Sequence, residues 1–190
     1  MKVIYLHGFN SDGNSRTVEN LRKTIPDLIS ISYDYILADE AYKKIKQVIE
    51  ETIHSDGNTI LVGTSLGAFW VNYFDQVYSL KSILVNPSLY PWISLAKYIG
   101  LNKNFNSGDE RILTAENVSA YKKYETTIIP SYHRNVVLGK KDDLIDYRET
   151  EKVFKGKAEI ILTNEGHRIE NSDRIAKLII DMGRQKKTEY

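Results

Sequence analysis

The stretch Thr59-Ile60-Leu61-Val62-Gly63-Thr64-Ser65-Leu66-Gly67-Ala68-Phe69-Trp70 decides the reading of this chain. Thr59 to Val62 is a β-branched, apolar run with the character of a buried strand. From Leu66 the apolar positions change period, because Leu66, Phe69, Trp70, Tyr73, Phe74 and Val77 recur at helical spacing. Between them stands a Gly-x-Ser-x-Gly turn, Gly63 to Gly67. A strand that turns straight into a helix through this pattern pushes the serine oxygen out at the edge of a sheet. The two glycines remove side chains that would collide with the neighbouring helix and strand. The free N–H groups of the helix start favour a negative charge developing nearby. With each residue near ~7% of an ordinary chain, about 0.06 such strings are expected by chance in this length. Ser65 is therefore the candidate nucleophile.

Outward from this turn, short apolar runs recur at Val3 to Leu6, Leu28 to Tyr33, Ser82 to Val85, Asn135 to Leu138 and Glu159 to Leu162. Segments of helical period lie between them, clearest at Ala41, Ile45, Val48, Ile49, Thr52, Ile53. A last helix is expected through Ile175, Leu178, Ile179 and Met182, with Ser172 as its N-cap and Gly183 just past its end. Strands alternating with helices imply βαβ units: a mostly or wholly parallel sheet of about six strands between two helical layers. In such a sheet function gathers at the carboxyl ends of the strands. One connection, roughly fifty residues from Asn86 to Arg134, is long for a compact domain, and residues 87–133 are expected to form a small lid. Within it Asn102 to Glu110 reads as a polar loop and Ala115 to Tyr124 as a helix.

The 190 residues are expected to form one domain, 1–190, burying on the order of 70% of the unfolded surface. A formal charge of +1 announces neither nucleic acid nor anionic lipid, and the basic tail Arg184, Lys186, Lys187 reads as a solvated end. The chain has no cysteine, which removes disulfides, thiolate metal sites and cysteine nucleophiles. A reducing cytoplasm is the default compartment. Val3 to Leu6 is too short for a secretory apolar region, and no apolar stretch reaches the ~18 residues of a membrane span. No cofactor or metal is expected.

A serine hydroxyl needs a base, and the base needs an orienting group. His167 follows the last strand and precedes the last helix, which puts it at the edge where Ser65 emerges. His54 ends a polar helix, and His133 precedes a strand at the opposite edge. His7 follows the first strand at the correct edge and is the one rival; the competing reading is that it orients its loop by hydrogen bonding. For the acid, the loop after Asn135 to Leu138 offers Asp142, Asp143 and Asp146. Asp146 has capping-type spacing with Glu149 at the start of a helix Tyr147 to Phe154. Asp142 comes soonest after the turn at Gly139 and is preferred, with Asp143 second. Two backbone N–H groups, of Phe9 and Leu66, are expected to receive an oxyanion, with Gly8 allowing close approach.

These residues resemble the α/β-hydrolase superfamily and, more narrowly, the small bacterial YqiA/YcfP-like esterases. The resemblance is carried by Tyr5-Leu6-His7-Gly8-Phe9-Asn10-Ser11, Gly63 to Gly67, Val85-Asn86-Pro87, Asp142 to Arg148 and His167. It implies Ser65, Asp142 and His167 as a triad, hydrolysis of a small-molecule carboxylic ester or thioester, and no cofactor. Thr64, Ala68 and Arg168 depart from the family's usual residues. The alternatives are acyl transfer with the same triad, separable by product analysis, and a non-catalytic scaffold that binds a ligand or partner. Phe9, Tyr90 and Trp92 are expected to line an acyl pocket under the lid, whereas Trp70 reads as ordinary core. The oligomeric state is not legible.

Overall fold

The protein is described by a computed structural model covering residues 1–168 and 172–185. In chain order it comprises β1 (Lys2–Leu6), α1 (Arg16–Arg22), β2 (Ile29–Ile31), α2 (Ala38–Ser55), β3 (Thr59–Thr64), α3 (Leu66–Tyr78) and β4 (Lys81–Val85). There follow α4 (Pro91–Ser94), β5 (Gly100–Lys103), β6 (Glu110–Leu113), α5 (Ala115–Ala120), β7 (Arg134–Gly139), α6 (Tyr147–Phe154), β8 (Glu159–Thr163) and α7 (Ser172–Arg184). Six strands form one wholly parallel sheet in the order β2-β1-β3-β4-β7-β8.

The period-2 alternation of side chains explains the three layers. Val3 and Tyr5 of β1 join Ile60, Val62, Ile83, Val85 and Val137 on one face, under Val18 and Leu21 of α1 and Ile175, Ile179 and Met182 of α7. Ile4 and Leu6 join Leu61, Leu84, Val136 and Leu138 on the other, under α2, α3 and α6. Because both rows are buried, the strands are apolar at successive positions rather than at alternate ones. The register then decides where function gathers. Leu6 pairs with Gly63, Thr64 with Val85, and Gly139 with Thr163, so these strands end level. The loops carrying residues 7–9, 65–66, 86, 140–145 and 164–168 consequently meet at one edge.

Several elements differ from the sequence expectation. β2 is confined to Ile29–Ile31, and α1, with only Val18 and Leu21 buried, carries too little apolar pattern to be seen. The polar loop expected at Asn102 to Glu110 is loop over residues 104–109 and connects an antiparallel hairpin whose strands take in Asn102, Lys103 and Glu110, with Leu101 opposite Ile112 and Asn102 opposite Arg111. Its specification is not hydrophobic. Asn102 Nδ2 donates to the carbonyls of Tyr98 and Gly100, and Asn104 Nδ2 donates to that of Ser11. Gly183 lies inside α7, not past its end, and Ser172 is its buried first residue. A Cβ on Gly183 would stand 2.1 Å from Met1 Sδ, so this glycine makes room for a side chain from β1's start. Lys186 and Lys187 of the basic tail lie outside the described residues.

Residues 87–133 are anchored in the core by Leu95, Leu113, Val118, Tyr121 and Tyr124. Arg134, at the start of β7, is buried and gives Nε and Nη2 to the two carboxylate oxygens of Asp75 in α3, each at 2.8 Å. Removing one partner of so buried a pair costs about 3–5 kcal/mol. No helix among the described residues is long and apolar enough to cross a membrane.

Candidate active site

Ser65 has φ 55° and ψ −116°, a conformation that L-residues other than glycine rarely adopt and that is sustained only when the surroundings over-determine it. They do so here. Ser65 N–H donates to Val85 O at 2.9 Å, and Ser65 O accepts from the N–H groups of Ala68, Phe69 and Ser88. Close packing enforces the flanking residues: a Cβ on Gly67 would lie 2.0 Å from Leu6 O, and one on Gly63 would lie 2.5 Å from the backbone of Gly67. Thr64 Oγ1 accepts from Tyr5 Oη, tying the turn to β1.

His167 Nδ1 lies 2.8 Å from Asp142 Oδ2. A carboxylate only accepts, so Nδ1 is the donor, and in the neutral imidazole that places the lone pair on Nε2. Asp142 is held by its own loop, because its Oδ1 accepts from the N–H groups of Leu144 and Ile145 at 2.8 and 2.9 Å. Burial pushes this carboxyl up. The bonds from His167, Ile145 and Leu144 outweigh that and leave it below the usual carboxylate range. Asp143 is exposed, and Asp146 caps α6 by accepting from Arg148 N–H.

His7 is placed differently. It is buried, its Nδ1 donates to Gly8 O at 2.8 Å, and its Nε2 accepts from Tyr33 N–H at 3.3 Å. Both nitrogens are spent on backbone. His54 is exposed at the end of α2.

Ser65, Leu66 and His167 line one cleft of about 550 Å³ with Gly8 and Phe9. Among the described residues, the N–H groups of Phe9 and Leu66 and the free ends of Ser65 Oγ and His167 Nε2 have no hydrogen-bond partner. The loop after β1 runs directly against the serine: a Cβ on Gly8 would be 3.4 Å from Ser65 Cβ. Of the expected pocket aromatics, Phe9 lines the cleft, but Tyr90 and Trp92 do not. Trp92 packs edge-on against Phe69 and Tyr90, outside the cleft, and Tyr90 is 44% exposed. Short-range pairing of Trp92 with the core helix takes it out of reach. The apolar wall is made instead by Leu95, Tyr98, Phe105, Leu144 and Ile145. Trp70 is fully buried core.

One site residue went unread in the sequence as anything but a family match. Asn86, buried and at φ 43°, directly follows β4. Its Oδ1 accepts from Gly139 N–H at 2.8 Å, and its Nδ2 donates to Gly166 O and His167 O at 3.1 and 2.8 Å. One amide thus joins the loop of Asp142 to the loop of His167. The signal was a polar residue directly after the apolar run Ile83 to Val85 and just before Pro87.

Residues 2–183 match the family described as Uncharacterised protein family (UPF0227). This chain belongs to UPF0227. A UPF0227 protein of Shewanella oneidensis is 36% identical over 93 residues, which is 47% of this chain and 52% of that relative. The chain thus spans about half the length of the first curated UPF0227 relatives it matches. In three dimensions this UPF0227 chain is similar to alpha/beta hydrolase domain-containing protein 10 from mouse, with a TM-score of 0.68 at 16% identity over 95% of this chain and 87% of that one. It is also similar to Est1E from Butyrivibrio proteoclasticus, solved with ferulic acid bound, with a TM-score of 0.67 at 14% identity over 95% and 86% of the two chains. The fold of this UPF0227 member is that of the α/β-hydrolase superfamily. Among the described residues no group of three or more histidine, aspartate and glutamate side chains is arranged to hold a metal ion.

Proposed function

We propose that the protein is a serine hydrolase that cleaves carboxylic esters or thioesters through Ser65, His167 and Asp142. The observation that carries this reading is the 2.8 Å contact of His167 Nδ1 with Asp142, made by a histidine that shares a cleft with a serine held at φ 55°. A strained serine alone is a conformation; a carboxylate-oriented imidazole lining the same cleft supports reading it as a nucleophile with a base.

In this scheme Ser65 Oγ attacks the carbonyl carbon and gives its proton to His167 Nε2. The carbonyl oxygen becomes an oxyanion and receives the N–H groups of Phe9 and Leu66. His167 returns the proton to the leaving oxygen or sulfur as that bond breaks, leaving an acyl ester on Ser65. Water then attacks this ester with His167 again as base, releasing the acid and restoring the serine. Asp142 holds the imidazole in the required tautomer and stabilises its charged form. Residues 87–133 serve as the substrate-side wall of the same domain, and Phe9 as part of the acyl pocket.

A fluorophosphonate probe, which esterifies an activated serine, tests this directly. Wild-type protein is expected to be labelled and Ser65→Ala is not. Equal labelling of the two, or none of the wild type, would overturn the assignment.

A further inference from the structure

Three cations rim the cleft, each from a different part of the chain: Arg16 at the start of α1, Lys97 after α4 and Arg168 next to His167. Among the described residues no aspartate or glutamate lines it. The chain as a whole carries 26 basic and 25 acidic residues, so this is a local separation of charge and not a general basic character. Asp12, Asp34 and Asp142, on loops at the same edge of the sheet, are committed elsewhere. Asp12 Oδ1 accepts from Asn14 N–H and Asn106 Nδ2, Asp34 pairs with Arg111, and Asp142 faces His167. Among the described residues none of the three cations has an ion-pair partner.

Arg168 is also held in place. Its guanidinium lies 4.7 Å from the ring centre of Phe105, the exposed residue beyond β5 that lines the same cleft. A guanidinium parked on an aromatic face keeps its planar donors available, and that fork fits the paired oxygens of a carboxylate or phosphate. The hairpin that carries Phe105 is itself stitched to the loop after β1, through Phe105 N–H to Asn10 O at 2.8 Å and Asn104 Nδ2 to Ser11 O at 3.1 Å. The ring on which Arg168 rests is thus carried by an anchored segment.

We infer that the substrate is an anionic ester or thioester, one whose acyl or leaving half carries a carboxylate or phosphate that Arg16, Lys97 and Arg168 receive. This rests on the serine-hydrolase reading and adds the substrate class to it. The attraction of one cation for an anion a few ångströms away across a wet cleft corresponds to about three- to tenfold in affinity. It is weakened as salt shortens the screening length.

Three six-carbon acyl esters separate the outcomes: para-nitrophenyl hexanoate, para-nitrophenyl hemiadipate with the charge on the acyl half, and meta-carboxy-para-nitrophenyl hexanoate with the charge on the leaving half. At low salt at least one charged ester is expected to exceed the neutral one in kcat/KM by about thirtyfold, a preference that shrinks as salt is raised. Which charged ester is favoured tells which half meets the cations. Arg168→Gln and Arg16→Gln are expected to lower the charged-to-neutral ratio by about three- to tenfold each, and Arg168→Lys to keep most of it. If the neutral ester is cleaved through Ser65 while neither charged ester is preferred, or the preference is indifferent to salt, the anionic class is overturned and the hydrolase reading stands. If no ester is cleaved, or cleavage is indifferent to Ser65→Ala, both are overturned.

Discussion

Two histidines stand at the carboxyl edge of one sheet, His7 after β1 and His167 after β8, and they differ in what each ring nitrogen meets. His7 stacks on Tyr33 with ring centres 4.1 Å apart, gives Nδ1–H to a carbonyl, and takes a backbone N–H at Nε2. Protonating it would set an N–H against an N–H inside the core. Burial accordingly pushes its pKa down to about 4, against the smaller opposing pull of the Gly8 carbonyl and Asp12. His167 gives Nδ1–H to a carboxylate and leaves Nε2 in the cleft, with its side chain 15% exposed. An imidazole serves as a strut where backbone consumes both nitrogens, and as a base where a carboxylate orients one and solvent-facing space receives the other.

The largest expected effect comes from exchanging these roles. His167→Ala should lower ester hydrolysis by on the order of 10⁴-fold, with Asp142→Asn close behind because it presents the wrong tautomer. His7→Gln should fall far short of either, and kcat/KM for para-nitrophenyl hexanoate measures all three. A His7 variant as damaged as the His167 variant would collapse the distinction.

The next effect concerns what keeps His167 and Asp142 facing each other. Asn86→Ala removes three hydrogen bonds between their loops and is expected to cost about 10²-fold in rate, the size of a roughly 1 Å misplacement. The loss should appear in kcat with KM for a short ester little moved. Asn86→Gly accepts the left-handed backbone but makes none of the bonds, so equal losses in the two variants assign the effect to the amide. A fall in KM affinity alone would deny Asn86 a positioning role.

The smallest effect is on stability. His7 has an ordinary value of 6.5 when unfolded and about 4 when folded, so between those values the unfolded chain binds a proton that the folded chain refuses. Stability therefore falls as pH drops from about 6.5 to about 4 and the His7 contribution levels off below that, with a loss on the order of 3 kcal/mol. Asp142, lowered by its partners, adds its own loss only at still lower pH. Urea unfolding at a series of pH values should show a shallower slope in this window for His7→Gln. An unchanged slope would mean that His7 is not the buried neutral group described.

What the sequence determined by itself was local and periodic. Apolar runs of strand length, helical spacing after Leu66 and Gly63-Thr64-Ser65-Leu66-Gly67 were enough for the layers, the parallel sheet and the place of Ser65, because backbone geometry turns such patterns directly into structure. The loop order placed His167 and an acidic loop at the same edge. The tertiary structure alone decided the rest. Only strand register brings Asp142, and not Asp143, onto His167 Nδ1. Asn86 joins two loops far from it in the chain, and no local pattern reports such bonds. The hairpin of β5 and β6 is held by asparagines reaching across the fold, which carries no hydrophobic period, and Trp92 left the expected pocket because its ring found the core helix. The physical reason is the same throughout: periodicity is a property of neighbouring residues, whereas a cleft is assembled from loops whose meeting depends on how the whole sheet closes.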